Sequence, residues 1–345
     1  MSFRELIPSE VVRRRPPLNM APGDEHLFAH EIEKEIPPTI LSRLTKATVL
    51  PNGYIVRGLG LRPLPETFTG RARSPSQAVR RVAQRIAAAP LQAAPVRVER
   101  GFILTDEFSN GYFHWLADCL PRLAVLSDSG LLEERTLIVP DYAGRFNYVQ
   151  QTLAAFDLTA TVFPGPRRSV LCDDLMVLSP VAPTGNYRPD VMNGLRDRFR
   201  THFGSSGQGG RIYASRALAG LRRIENESDV QAVFERHGFE RIFLERLSFD
   251  EQVKRIGSAS ILASNHGAGL TNMTWMQPGT VVMELRRSGD AQNNCFYSLA
   301  SALGIGYRYM TCRPVSERVS AHRGDLHVDV KELDRHLAAI VEASR

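Results

Sequence analysis

From residue 101 onward the sequence alternates between segments typical of strands and of helices, and a glycine-rich run interrupts the alternation once. The hydrophobic pattern predicts strand and helix in turn over residues 101–203, and the alternation resumes at residue 211. Between these runs lies GSSGQGG, residues 204–210, a composition typical of a flexible connection. Alternating strands and helices form parallel sheets covered on both faces. The sequence therefore predicts an α/β protein of two Rossmann-like domains with a ligand-binding cleft between them.

We expect four regions in the 345 residues, since two domains of about 150 residues each would fill most of that length. Residues 1–95 are rich in Pro and Arg, which predicts short strands and irregular chain partly packed on the first domain. The first domain should span residues 96–204 and the second residues 211–325. Residues 326–345 should form a helix that packs back across the cleft.

The formal net charge of +6 is unevenly distributed, with seven arginines and one acid between residues 70 and 100. Such a segment favours an anionic partner, or it is a solvated cationic face. An amphipathic helix is predicted from Ser76, with Arg80, Arg81 and Arg85 on its polar face. This helix would pack on a domain or lie on the inner face of the plasma membrane. A nucleic-acid partner is not expected, because the predicted helices show no basic-aromatic recognition module.

Four widely separated cysteines argue against a disulfide framework and against a cysteine-rich zinc site. No stretch approaches the roughly 18 apolar residues that a membrane span requires, and residues 1–19 contain no apolar core of a secretory signal. We therefore expect a cytoplasmic protein.

The segment ILASNHGAGLTNMTWMQP, residues 261–278, carries the clearest binding signal. An apolar strand ends at His266, and Gly267, Ala268 and Gly269 turn the chain into a predicted helix over residues 270–276. Glycines allow close approach to a ligand, and the start of a helix offers free N–H groups to an anion. The turn lacks the spacing of the dinucleotide and P-loop motifs. It predicts a phosphate site, or simply a tight connection.

Charged residues follow neighbouring predicted strands of the same half. Arg216 lies after the first strand, with Arg223 and Asn226 close behind, and Glu284 ends the run VVMEL. Arginine binds diphosphates in forked geometry, and a carboxylate can accept both hydroxyls of a ribose. These residues predict a nucleoside-diphosphate site, with an Arg–Glu ion pair at the sheet edge as the alternative.

In the first half, NGYFHWLADCLPRL follows a strand and opens a helix. His114 and Asp118 are four residues apart and so lie on one helix face. A carboxylate stabilises the imidazolium that forms when a histidine accepts a proton, which makes the pair a candidate general base. Two ligands of a metal site, or a structural hydrogen bond, are the alternatives.

Taken together, these segments resemble glycosyltransferase family 61. The resemblance rests on FHWLADCLPRL, on IYASR and RRIENE in residues 212–227, on LSFDEQV in residues 247–253, and on HGAGLTN followed by PG and VMEL in residues 266–285. It covers residues 101–285, and it implies a GT-B fold, an inverting reaction and a nucleotide-sugar donor, usually UDP-linked. Bacterial relatives are associated with capsule, lipopolysaccharide or exopolysaccharide synthesis, which implies a glycan or lipid-linked saccharide acceptor.

Inversion requires a base for the acceptor hydroxyl and positive charge for the departing diphosphate. We assign His114 as the base and Asp118 as its orienting partner, with their exchange of roles open. Arg216, Arg223 and the backbone of residues 267–269 would stabilise the leaving diphosphate, and Glu284 would hold the ribose. Asn272 or His266 would contact phosphate or sugar. We expect no resident cofactor and metal-independent turnover, because no convincing DxD segment occurs and cations with a helix dipole can replace the metal's charge. The alternative function is a non-catalytic sugar-nucleotide or polysaccharide-binding subunit of a glycan assembly complex.

Overall fold

The computed structural model describes residues 2–51, 53–57, 62–63, 94–106, 108–165, 168–204 and 209–343. The amphipathic helix predicted from Ser76 lies outside the described residues, together with Arg80, Arg81 and Arg85, so its contact with a membrane stays a prediction. Among the described residues, no helix combines the length and the apolar character needed to cross a bilayer.

The chain divides into two compact units, each built from two segments. Unit 1 comprises Met1–Val11 and Glu35–Val191, and unit 2 comprises Val12–Lys34 and Met192–Arg345. Each unit contains one large sheet with parallel strands, so the protein is mixed α/β. The GT-B arrangement and the predicted domain boundaries stay predictions.

In the ranges that the structure describes, the strands in chain order are β1 (Ser2–Ile7), β2 (Glu10–Arg13), β3 (Glu33–Ile36), β4 (Thr39–Val49), β5 (Ile55–Arg57), β6 (Arg62–Pro63), β7 (Val96–Ile103), β8 (Thr136–Ile138), β9 (Ala160–Val162), β10 (Val170–Leu178), β11 (Gly210–Ala214), β12 (Glu240–Ile242), β13 (Ala259–Asn265), β14 (Val281–Arg287), β15 (Gly306–Pro314) and β16 (Leu326–His327).

The helices of the described part are α1 (Glu25–Ile32), α2 (Tyr112–His114), α3 (Leu120–Asp128), α4 (Asp141–Gly144), α5 (Asn147–Leu153), α6 (Pro189–Phe203), α7 (Glu227–Arg236), α8 (Phe249–Gly257), α9 (Cys295–Ala302) and α10 (Val330–Ala343). A π turn, Trp115–Cys119, joins α2 to α3. Two 3₁₀ helices cover Leu244–Arg246 and Ala268–Trp275. Beyond residue 101 most strands and helices follow the predicted order, with boundaries shifted by a few residues; the exceptions include β10 and the 3₁₀ helix Ala268–Trp275.

The sheet of unit 1 has the order β6-β5-β4-β10-β7-β8-β9, and β1 also pairs with β4. Strands β10, β7, β8 and β9 are parallel, whereas β4 runs antiparallel to β10. The expectation of only short strands and irregular chain before residue 95 is wrong for β4, an 11-residue strand inside this sheet. Its prolines, at positions 37, 38 and 51, flank the strand instead of interrupting it.

The hydrophobic pattern predicts two short strands, over residues 170–171 and 175–178, where the structure has one continuous strand, β10. Asp174 lies within this strand, and its carboxylate accepts hydrogen bonds from Nε of Arg43 at 2.7 Å and from Nη2 of Arg135 at 2.6 Å. Paired in this way, the acid is accommodated within a continuous strand.

The sheet of unit 2 has the order β12-β11-β13-β14-β15-β16, with the first five strands parallel and β16 antiparallel. Because carboxyl ends of parallel strands meet at one edge, the residues after β11 and β13 lie on the same side of this sheet. Helix α10 packs its buried apolar residues into the core of unit 2 beside α7. Its predicted position across an interdomain cleft stays a prediction.

The segment Val12–Lys34 belongs to unit 2 and lies beside β15. The backbone N–H of Leu18 donates to the carbonyl of Tyr307 at 2.8 Å, and Nδ2 of Asn19 donates to the carbonyl of Tyr309 at 2.7 Å. Phe28, in α1, is fully buried with its ring 5.0 Å from the ring of Tyr309. This part of the N-terminal region is therefore part of the core of unit 2.

Candidate active site

The His114–Asp118 pair lies where the helix changes from α to π geometry. Nδ1 of His114 donates to Oδ2 of Asp118 at 2.8 Å, as the four-residue spacing predicts. The π turn begins at Trp115, whose carbonyl accepts from the N–H of Leu120, five residues on. Such turns interrupt a helix at a cost in regularity and occur often at functional sites.

Burial and a second hydrogen bond fix the Asp118 carboxylate. It is 8% exposed and also accepts from Oγ1 of Thr184 at 3.3 Å, whereas 21% of the His114 side chain is exposed. The rings of Phe108 and Phe113 lie 5.4 and 5.1 Å from the imidazole. A buried acid that orients a more accessible imidazole is the geometry expected of a general base and its partner.

Arg122, in the LPRL part of the same motif, anchors this helix. Its guanidinium is buried and donates to the carbonyl of Leu104 at 2.5 Å and to Oδ2 of Asp106 at 3.4 Å. These bonds tie α3 to the loop that leaves β7, and that loop leads into α2. The sequence analysis gave Arg122 no role, and the structure assigns it to positioning the start of the helix.

In unit 2, Arg216 packs against the glycine turn. Nη2 of Arg216 donates to the carbonyl of Leu221 at 3.0 Å, and its Nε has no hydrogen-bond partner. A Cβ on Gly267 would lie 2.7 Å from Cζ of Arg216. Gly267 therefore serves close approach, since its φ of 169° is extended backbone open to any residue. Ala268 begins a 3₁₀ helix, not the α-helix predicted over residues 270–276, and its first N–H groups point away from the helix.

A second guanidinium, that of Arg222, lies within electrostatic range of the first. Arg222 has a positive φ of 57°, and its carbonyl accepts from Nδ2 of Asn265, which is completely buried at the end of β13. Within the described part of the chain, neither Arg216 nor Arg222 forms an ion pair. Burial, followed by the charge of Arg222, lowers the pKa of Arg216 to about 10. Two partly buried cations without a carboxylate partner favour an anionic ligand.

Glu284 is completely buried inside β14 and orients His266. The two side chains are bonded through Oε1 and Nδ1, and Oε2 accepts from the hydroxyl of Tyr307 at 2.5 Å. Both carboxylate oxygens are thus engaged within the protein. The structure gives Glu284 a different partner from the ribose hydroxyls expected from the sequence, and the alternative of an ion pair with Arg216 is also not formed.

Two residues predicted to contact the donor make hydrogen bonds within the loops of unit 2. Arg223 has an exposed side chain, and its backbone N–H donates to Oδ1 of Asp325 at 2.8 Å. Asn226 bonds both polar atoms of its side chain to the backbone of Val328, at 2.9 and 3.1 Å. These bonds hold the loop before α7 against the loop before α10, so the two residues serve the loop structure.

Asn272 is completely buried inside the 3₁₀ helix. Its Oδ1 accepts from Nε1 of Trp275 at 3.0 Å, and its Nδ2 donates to the carbonyl of Gly269 at 3.1 Å. These bonds make Asn272 a support of the turn. Arg222 and Asn265 were not predicted as site residues from the sequence, although each is adjacent to one that was, Arg222 to Arg223 and Asn265 to His266.

Two cavities lie elsewhere. One of about 670 Å³ in unit 2 is lined by residues around Asn226, His327 and Lys331, and one of about 480 Å³ in unit 1 lies beside Arg43 and Arg135. Neither includes Arg216, His266 or His114. Within the described ranges, no cluster of three or more His, Cys, Asp or Glu side chains is placed to hold a metal ion.

Replacing Gly267 by alanine should displace the guanidinium of Arg216 while leaving the fold intact, because a flexible side chain can move away. We expect Gly267→Ala to weaken the binding of inorganic pyrophosphate about tenfold, the effect of one lost charge-assisted hydrogen bond. Isothermal titration calorimetry measures this. Gly220→Ala is the matched control, since a Cβ there meets nothing within 4 Å. Equal affinities for the two variants would contradict the role given to the turn.

Comparison with known proteins adds independent information on this chain. Residues 112–283 match the family model described as Glycosyltransferase 61. A segment of 90 residues is 32% identical to the EGF domain-specific O-linked N-acetylglucosamine transferase of Drosophila melanogaster. That segment is 25% of this chain and 17% of the relative's length. The match and this similarity to a transferase support placing the chain in glycosyltransferase family 61.

Proposed function

We propose that the chain is an inverting glycosyltransferase that moves a sugar from a nucleotide-sugar, with UDP as the expected nucleotide, to a glycan or lipid-linked saccharide. The observation that carries this proposal is the pair of neighbouring guanidinium groups at Arg216, which packs against Gly267, and Arg222, neither of which forms an ion pair in the described part of the chain. In a chain that matches a glycosyltransferase family, the anion that such a site fits is the diphosphate of the donor.

The proposed reaction moves one proton to His114 and one electron pair to the leaving diphosphate. The acceptor hydroxyl attacks the anomeric carbon from the face opposite the diphosphate and loses its proton to His114, while Asp118 stabilises the imidazolium. The bond between the anomeric carbon and the diphosphate oxygen breaks, and the electron pair leaves with the nucleotide. Arg216, Arg222 and the N–H groups after Gly267 stabilise the negative charge that develops there.

For the acceptor, the compartment and the sugar, the family resemblance supports classes and not particular molecules. We propose surface polysaccharide synthesis on the cytoplasmic side of the membrane, as the sequence resemblance to bacterial members of the family implies. The Drosophila relative is named for transfer of N-acetylglucosamine to EGF domains, and the matched segment is a small part of that protein. We therefore propose a class of donor and acceptor and no particular sugar.

His114→Ala should abolish transfer and leave UDP affinity unchanged, because the base acts on the acceptor and the nucleotide binds in unit 2. Loss of a positioned general base costs about 10²–10⁴-fold in rate. Turnover of a UDP-sugar and UDP titration measure the two effects, with His202→Ala, an exposed histidine of α6, as the control. Unchanged turnover in His114→Ala would overturn the catalytic assignment and favour the non-catalytic binding subunit.

We further propose that turnover needs no metal ion, because guanidinium groups and a helix N-terminus can neutralise the leaving diphosphate. Transfer rates should be the same in EDTA and in Mn²⁺. A loss of activity in EDTA that Mn²⁺ restores would show that the proposed cations are insufficient.

A further inference from the structure

A buried chain of hydrogen bonds extends from His266 into the core of unit 2. Glu284 bonds His266 through Oε1 and accepts the hydroxyl of Tyr307 through Oε2 at 2.5 Å. That hydroxyl also accepts from Nη1 of Arg286 at 3.3 Å. Glu284, Arg286 and Tyr307 are at most 4% exposed. The order His266–Glu284–Tyr307–Arg286 is thus fixed by a hydrogen bond at every step.

The groups of this hydrogen-bond network keep the carboxylate of Glu284 ionised. Burial alone would raise the pKa of Glu284, but His266, Arg286 and the Tyr307 hydroxyl outweigh burial and lower it. Burial and the Glu284 charge raise the pKa of Tyr307 well above 10, so the phenol stays protonated and donates. The buried negative charge is therefore compensated by a buried guanidinium that reaches it through the phenol.

Residues of the N-terminal segment Val12–Lys34 pack around Arg286, the last residue of the hydrogen-bond network. Nη1 of Arg286 donates to Oδ1 of Asn294 at 3.0 Å, and Nδ2 of Asn294 donates to the carbonyl of Leu27 at 2.8 Å. The guanidinium lies over the ring of Phe28, with Cζ 5.0 Å from the ring centroid. Packing by α1 thus prevents Arg286 from turning toward solvent and holds the network in one arrangement.

The imidazole of His266 is the end of this network that a ligand can reach. Its side chain is 14% exposed, and in the described part of the chain Nε2 has no hydrogen-bond partner. A neutral imidazole with its proton on Nδ1 would offer a lone pair at Nε2 and repel a phosphate. The carboxylate of Glu284 on Nδ1 orients the ring, and an imidazole protonated on both nitrogens would offer a second N–H, at Nε2, to an anion.

We propose that Tyr307 and Arg286 are positioning residues of the donor site, which hold the ionised Glu284 against Nδ1 of His266 so that Nε2 donates to a diphosphate oxygen. The inference deepens the proposed function and rests on it for the identity of the ligand. Besides Glu284, the titratable and charged groups that interact with His266 or its carboxylate are Arg222, Arg286, Cys295 and Tyr307, and Arg216 lies against the adjacent Gly267.

Two tyrosines of β15 provide a matched test. Tyr307 and Tyr309 are 4% and 3% exposed, and each donates its hydroxyl to a carboxylate at 2.5 Å, Tyr307 to Glu284 and Tyr309 to Asp24. Each hydroxyl also accepts one longer bond, from Nη1 of Arg286 at 3.3 Å or from the N–H of Ala21 at 3.5 Å, so Tyr307→Phe and Tyr309→Phe remove comparable sets of hydrogen bonds from the same strand. Both should lower Tm by a similar amount, about 2–4 °C.

Only Tyr307→Phe should change His266. In ¹⁵N-histidine NMR spectra, assigned by the signal lost in His266→Asn, the His266 resonances should shift toward the neutral ring in Tyr307→Phe and stay unchanged in Tyr309→Phe. UDP affinity by calorimetry should fall about 3- to 10-fold in Tyr307→Phe alone. Glu284→Gln keeps the shape of the side chain and removes its charge, so it should shift the His266 resonances further in the same direction.

Unchanged His266 resonances in Tyr307→Phe, or equal losses of UDP affinity in the two tyrosine variants, would overturn the positioning role. Failure of the proposed function would give a different experimental result. In that case the wild-type protein would bind neither UDP nor pyrophosphate, while the NMR comparison of the two tyrosine variants would still decide whether the buried network sets the protonation of His266.

Discussion

In the part of the chain that the structure describes, the partly buried guanidinium groups of Arg216 and Arg222 form no ion pair, and the candidate donor site depends on this imbalance. Of the acids within electrostatic range, Glu284 is bonded to His266 and Tyr307, and Glu245, near Arg216, is exposed. Removing a cation from water without compensation is costly, and the cost appears in the lowered pKa of both arginines, for which burial is the leading cause. A bound diphosphate would supply the missing negative charge.

The rest of unit 2 holds these groups in place. Asn265 holds the carbonyl of Arg222, Gly267 leaves room for the guanidinium of Arg216, and Asn272 supports the 3₁₀ turn from inside. The N-terminal segment, which belongs to no recognised motif, covers Arg286 and completes the buried network behind His266. Residues from both segments of unit 2, Val12–Lys34 and Met192–Arg345, therefore hold the candidate donor site in place.

Patterns local in sequence predicted much of this structure. The alternation of strands and helices, the 2.8 Å contact between His114 and Asp118, and the proximity of Arg216 to Gly267 all follow from spacing or from strand ends that share an edge. Long-range partners could not be predicted. No local pattern shows that the hydroxyl of Tyr307 donates to Glu284 or that β4 pairs with β10 in the sheet of unit 1. Nor does one show that Arg222 is partly buried while its neighbour Arg223 is exposed.

The most direct test of the anion site compares two adjacent arginines. Arg222 is partly buried and makes no ion pair in the described part of the chain, whereas Arg223 is exposed, with Asp325 3.9 Å away. UDP titration of Arg222→Met and Arg223→Met should show at least about tenfold weaker binding for the first, the effect of one charged hydrogen-bond donor lost from a desolvated site, and little change for the second. Equal affinities in the two variants, or a larger loss in Arg223→Met, would contradict the account.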